Sequence, residues 1–230
     1  TSSLTDFVLR ECGRHSILAG NIGKPCFDII DEIRVDTTIV LELSCPQLES
    51  ISASPHIAIL LNLYEEHLDH YLSAADYYSA KKNIFKHQKA DDYLIYGDIW
   101  QHTSPEEIEH APAGTKIDLS SEAPIKLDEI HTQLLGEHFA KDILAVYYAC
   151  TALGLEKDEI LQAIAKFHGL PHRLEYIGRH KNIDFYNDSI ATAQEAVISA
   201  IKAVKNVDTI ILGGMDRGLD YHPLVEFLRS

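Results

Sequence analysis

Apolar residues recur along this chain in two alternating patterns, helical spacing and short continuous runs. Leu4, Phe7, Val8 and Cys12 fall at helical spacing, and Gly13 can cap the helix they predict. A Gly-Asn-Ile-Gly loop at 20–23 precedes a short segment at 27–30, and residues 37–43 are rich in β-formers. The continuous apolar run at 57–61 suits a strand covered on both faces. Residues 73–87 are helical in pattern, with Tyr77, Ile84 and Phe85 on one side and Lys81 near them. A short strand is expected at 93–96, and the polar, Pro-rich stretch 100–125 predicts loops and edge strands. Two amphipathic helices are expected at 137–153 and 157–167, after which Gly169-Leu170-Pro171 breaks the chain. Beyond it, a strand at 183–186 runs into Asn187-Asp188-Ser189-Ile190-Ala191-Thr192, with a helix starting near Ala191. A further apolar strand is expected to end in Leu212-Gly213-Gly214-Met215-Asp216-Arg217-Gly218. This alternation predicts an α/β fold, a mostly parallel sheet flanked by helices, with a domain boundary between 1–168 and 169–230. There is no internal repeat.

Composition narrows the partners more than the fold. The 230 residues include 46% hydrophobic ones, ample for a buried core. A formal charge of -15 argues against non-specific binding to nucleic acid or an anionic membrane, which it would repel. It leaves room for an anionic small molecule held by a few local cations and backbone N–H groups. Cys12, Cys26, Cys45 and Cys150 are dispersed and read as small residues in a reducing cytosol. No charged-then-apolar leader opens the chain and no apolar run approaches membrane-spanning length, so a cytoplasmic protein is expected.

Two groups of residues could carry chemistry. Two apolar strands, each ending in a polar turn before a helix, describe ligand crevices at strand C-termini. There Arg173 and Arg217 suit anions, and Asp188 suits a ribose hydroxyl or a metal. Asp188 and Thr192 could equally cap the helix expected near Ala191, and an N-terminus with free N–H groups serves either purpose. The second group is Glu42, His67 and Lys81. Glu42 ends one strand and His67 follows another; loops at neighbouring parallel strand ends converge, so the two could share a magnesium ion. The plainer reading is a solvated glutamate and a surface or satisfied core histidine.

These motifs, in their order, resemble the Mur ligase family, the ATP-dependent amino-acid-adding enzymes of peptidoglycan synthesis. The D-glutamate-adding branch carries G-N-I-G, L-E-L-S-S-F-Q-L-E, N-x-x-x-D-H-L-D-x-H and Y-x-x-A-K, matched here at 20–23, 41–49, 62–71 and 77–81. The resemblance implies a central ATP-binding domain over 1–168 and the first part of a Rossmann-like C-terminal domain over 169–230. It implies that Glu42 and His67 bind Mg²⁺ and that Lys81 is carbamylated into a metal-bridging ligand. Lys82 is the rival for that role, and the Y-x-x-A-K frame favours Lys81. Asn21 and Ser44 are implied to contact a UDP-sugar substrate, Arg173 the ATP phosphates, Asp188 the ribose, and His138 and Asp142 the adenine end. Thr192 and Arg217 take the positions that hold D-glutamate. The implied reaction joins D-glutamate to UDP-N-acetylmuramoyl-L-alanine through an acyl phosphate, in a monomer with neither nucleic-acid nor membrane partner. Closure about 169–171 on ATP binding goes with such a two-domain site.

The departures are local. S-S-F-Q of the family is Ser44-Cys45-Pro46-Gln47 here, D-S-K-A-T is Asp188-Ser189-Ile190-Ala191-Thr192, and Arg217 replaces a lysine. The family's G-x-H-N-x-x-N, whose asparagines meet adenine, is Gly136-Glu137-His138-Phe139-Ala140-Lys141-Asp142. Asp142 can accept from the adenine amine but cannot donate to a ring nitrogen; Phe139 can stack on a ligand or fill a core. The family's phosphate loop falls just before Thr1, so these 230 residues match the middle of a ligase and alone are expected not to turn over ATP. Rival readings are a related ligase with another amino acid or a folate substrate, and a non-catalytic scaffold relative.

Overall fold

The computed structural model describes residues 1–63, 71, 73–120, 130, 132–136, 138–215 and 221–229. The chain forms two compact units, Thr1–His131 with Lys141–Ala165, and Thr132–Ala140 with Lys166–Ser230.

The first unit is built from parallel strands and covering helices. Helix α1 (Ser2–Glu11) buries Leu4, Val8 and Leu9 along one face. It ends where Gly13 takes φ 74, with the Gly13 N–H on the Arg10 carbonyl and the Arg14 N–H on Leu9, the paired bonds of a Schellman stop. Strands β1 (Ser16–Gly20) and β2 (Thr38–Glu42) pair in parallel from Ser16 opposite Thr38 to Gly20 opposite Glu42. Cys26–Glu32 between them is a 3₁₀ turn. After the short α2 (Cys45–Glu49), strands β3 (Ile57–Asn62), β4 (Tyr93–Asp98) and β5 (Thr115–Asp118) form a second parallel sheet in that order.

Strand β3 is covered on both faces, as its unbroken apolar run predicts. Ala58 and Leu60 lie in one cluster with Tyr77, Tyr78 and Phe85 of α3 (Ala74–Lys86). Ile57, Ile59 and Leu61 pack against a second cluster containing Leu144, Ala145 and Ala149 of α5 (His138–Ala152). Between β4 and β5 the chain makes a helix the sequence reading missed, α4 (Pro105–Glu109). Its start signal is local: Ser104 and Glu107 form a reciprocal capping box with Pro105 at the first turn. Helix α6 (Lys157–Ala165) buries Ile160, Ala163 and Ile164.

The second unit departs further from expectation. Strand β7 (Ile183–Asn187) pairs antiparallel with β6 (Glu175–His180), not in a parallel crossover. The cause is the two-residue connection: Lys181 and Asn182 both sit at positive φ, 47 and 64, the geometry that closes a tight hairpin. Helix α7 (Gln194–Ala203) begins three residues later than the expected Ala191, with Ala193 at its N-cap. The apolar run before Gly213 is not a strand, because no described strand pairs with it; Ile211 is 93% and Met215 81% exposed. Helix α8 (His222–Arg229) buries Leu224. No described helix is long and apolar enough to cross a membrane.

Candidate functional site

The first candidate centre is at the carboxyl ends of β1 and β2. Gly20 adopts φ 107, and a Cβ there would lie 2.2 Å from the Glu42 carbonyl oxygen, so only glycine lets the strand ends approach this closely. The Asn21 N–H then donates to that carbonyl at 2.7 Å, and the Gly20 N–H donates to Lys24 at 2.9 Å. The Gly-Asn-Ile-Gly loop thus folds back over its own strand and brings Asn21 and Glu42 together. Ser44 follows two residues on as the N-cap of α2. Its N–H and hydroxyl donate to the Gln47 side-chain oxygen at 2.8 and 3.0 Å. Pro46 lies in the first turn of α2, where a missing N–H costs nothing, so this departure from the family motif leaves the turn intact.

Helix α3 carries the two rival lysines. The Lys81 ammonium lies over the Tyr77 ring, 4.9 Å from its centroid. Lys82 donates to both carboxylate oxygens of Glu107 at 2.8 and 3.0 Å, and that hydrogen bond holds the Glu107 carboxyl below its usual range. Tyr77 is fully buried and meets Tyr71 edge-on at 5.5 Å and Tyr78 at 5.4 Å. Burial, then the neighbouring Cys45 and Glu49, pushes the Tyr71 hydroxyl up to about 12. The helical spacing of residues 73–87 already places Lys81 near Tyr77, four residues apart, and the observed contact agrees.

His67 lies outside the described residues, and among the described ones no three His, Cys, Asp or Glu side chains cluster to hold a metal. An unmodified lysine ammonium is not a metal ligand, so fitting Mg²⁺ to Glu42 and Lys81 depends on carbamylation of Lys81. Asp142 accepts from the Thr1 hydroxyl and lies 2.7 Å from the Thr1 amino group.

The second centre, in the second unit, surrounds Arg173. Its guanidinium lies over the Phe139 ring, 5.8 Å from the centroid. The residues on either side, His172 and Leu174, both hold positive φ, 64 and 47, which is unusual for residues with a Cβ. Asp188 fixes this turn by accepting the Leu174 N–H at 2.8 Å. Neither Asp188 nor Thr192 caps α7, whose N-cap is Ala193. Thr192 is exposed just ahead of that helix, and His138 is the first residue of α5. Arg217 lies outside the described residues.

An open cleft of about 590 Å³ in the first unit is lined by Asp6, Arg10, Arg14, His15, Lys24 and Glu32 among others. Arg10 pairs with Asp6 at 3.1 Å and Lys24 with Glu32 at 2.5 Å. Gly23 of the Gly-Asn-Ile-Gly loop lines it but none of the candidate site residues does, and convergent functional groups, not volume, mark the two centres above.

Comparison with known proteins agrees with the motifs. Residues 31–100 match the Mur ligase middle domain. The whole chain is 31% identical over 248 aligned residues to UDP-N-acetylmuramoylalanine--D-glutamate ligase of Bacillus thuringiensis (strain Al Hakam), covering 55% of that protein. Among solved structures, MurF of Acinetobacter baumannii matches 90% of this chain and 52% of its own with a TM-score of 0.68 at 14% identity. MurF of Thermotoga maritima in complex with ADP matches 88% of this chain and 54% of its own, with a TM-score of 0.66 at 16% identity. The chain therefore spans about half the length of the curated relative it matches. Motif order and whole-chain similarity together make the chain similar to the Mur ligases, whose middle domain is matched at residues 31–100, and the solved structures share its α/β fold.

Proposed function

We propose that the protein containing these residues joins D-glutamate to UDP-N-acetylmuramoyl-L-alanine, using ATP. The observation that carries this reading is the 31% identity to a D-glutamate ligase along the entire chain, including the loop that couples Asn21 to Glu42. In the first step the substrate carboxylate attacks the γ-phosphorus of ATP, forming an acyl phosphate and releasing ADP. The D-glutamate amine then attacks the acyl carbon, loses a proton, and expels phosphate as the tetrahedral intermediate collapses. Asn21 and Ser44 are assigned to the UDP-sugar, and His138, Asp142 and Asp188 to the nucleoside. Arg173 binds the polyphosphate, and Thr192 and Arg217 orient the incoming amino acid, with fixed cations lowering the cost of developing charge. Glu42, His67 and a carbamylated Lys81 would hold Mg²⁺, which neutralises phosphate charge when bound. The same reading assigns 1–168 to the ATP-binding central domain and 169–230 to the start of the C-terminal domain, in a cytoplasmic monomer.

The test is incorporation of labelled amino acids into UDP-N-acetylmuramoyl-L-alanine by the whole protein. D-Glutamate alone should be taken up from a panel that includes L-glutamate, L-lysine and diaminopimelate. Uptake of a different amino acid would move the assignment to another member of the family.

A further inference from the structure

We propose that Phe139 is a positioning residue for Arg173, one side of a holder that keeps the guanidinium ready for an anionic polyphosphate. The inference rests on the reading of Arg173 as the phosphate-facing cation, and it assigns a purpose to a residue that stands where the family carries asparagine.

Arg173 is exposed and carries a long, rotamer-rich side chain; left alone, it would lose considerable freedom on meeting a ligand. Four contacts on its flanks remove backbone freedom instead. The His172 N–H donates to the Glu175 carboxylate at 2.8 Å, and the Asn187 side-chain amide meets His172 Nδ1 at 2.8 Å. The Leu174 N–H donates to Asp188 at 2.8 Å, and the His172 carbonyl accepts the Ile190 N–H at 3.2 Å. These bonds tie the two positive-φ residues on either side of Arg173 to the start of β6 and to the end of β7 and the turn after it. Such a backbone is costly for non-glycine residues and persists where its surroundings over-determine it.

Phe139 supplies the second support. It is 7% exposed, so its ring is a fixed surface, and the guanidinium carbon stands over it. A guanidinium lying over a ring is attracted by the ring quadrupole through its face, which leaves its edge N–H donors free for phosphate oxygens. Asparagine at this position would offer hydrogen bonds and no ring. The phenylalanine therefore exchanges a polar ligand contact for a support under the arginine.

The test reads Arg173 itself. In the 230-residue chain, the Arg173 Nε–H and Hδ protons should show ring-current-shifted NMR resonances. Phe139→Leu should return them to values typical of a free arginine, and Phe139→Tyr should keep them shifted. Because Phe139 is buried and its truncation can disturb folding, Asn187→Ala supplies an independent variant on the other side of the holder, and it should also reduce the shift. Arg173 resonances at free-arginine values in the unmutated chain, or unchanged in both Phe139→Leu and Asn187→Ala, would overturn the proposal. In the whole protein, Phe139→Leu should raise KM for ATP by about two- to fivefold with kcat unchanged, the factor expected of an exposed cation–π contact. Ring-dependent Arg173 resonances in a protein that does not use ATP would uphold the holder and overturn the nucleotide reading.

Discussion

Lys81 and Lys82 are adjacent in sequence and about 100° apart around α3, and that rotation separates their roles. Lys82 is spent on Glu107, whereas Lys81 rests on the buried ring of Tyr77. Lys82→Met should leave ligase activity of the whole protein near normal and cost under about 1 kcal/mol in a denaturant titration, as expected for a surface pair. Lys81→Met should reduce activity by about 100-fold or more, with stability little changed, if its carbamate holds the metal. The sequence frame pointed to Lys81, but the Glu107 partner was illegible because it comes from α4, beyond the intervening strand β4. Asp92 gives a pH prediction at the same scale. Burial raises its pKa, but hydrogen bonds from His56 at 2.7 Å and the Lys89 N–H outweigh that and hold it below 3.8. The folded state therefore favours the carboxylate. Its stabilisation is complete above the unfolded value and disappears as pH falls through the lowered folded value. Asp92→Asn should destabilise the chain at pH 7 by about 1–3 kcal/mol, with the difference from the unmutated chain shrinking in acid. Equal midpoints at pH 7 would contradict this account.

At the scale of elements, the carboxyl end of β1 tests whether the glycine loop is structural as well as functional. Gly20→Ala would push a Cβ against the Glu42 carbonyl and hold alanine at positive φ. A loss of about 1–3 kcal/mol is expected in thermal or denaturant melts, together with weaker UDP-sugar binding because Asn21 and Glu42 separate. Ser104→Ala should cost about 1 kcal/mol by removing the cap of α4. The parallel strands of the first unit were readable because burial on two faces produces unbroken apolar runs such as 57–61. The hairpin of the second unit was not, since Lys181-Asn182 is a weaker turn signal than Asn-Gly, and nothing in 183–186 announces the direction of its partner. The run ending at Leu212 misled for a related reason. Apolar composition offers a strand, but only a neighbouring strand makes one.

For the molecule as a whole, charge and motif order were legible earlier than geometry. The charge of -15 argues against non-specific polyanion binding, and in the proposed reading local cations such as Arg173 do what net charge cannot. The resemblance placed Asp188 on the ribose side, yet its observed bond to the Leu174 N–H gives it a structural task in the Arg173 turn as well. That second task could not be read from sequence, because it depends on β6 and β7 folding back on each other. The measurement that tests the central claim most directly is phosphate release by the whole protein with ATP and UDP-N-acetylmuramoyl-L-alanine, with and without D-glutamate. The account predicts release that requires both the sugar nucleotide and D-glutamate. A folded whole protein that releases no phosphate with D-glutamate, or releases it equally without, would contradict the account.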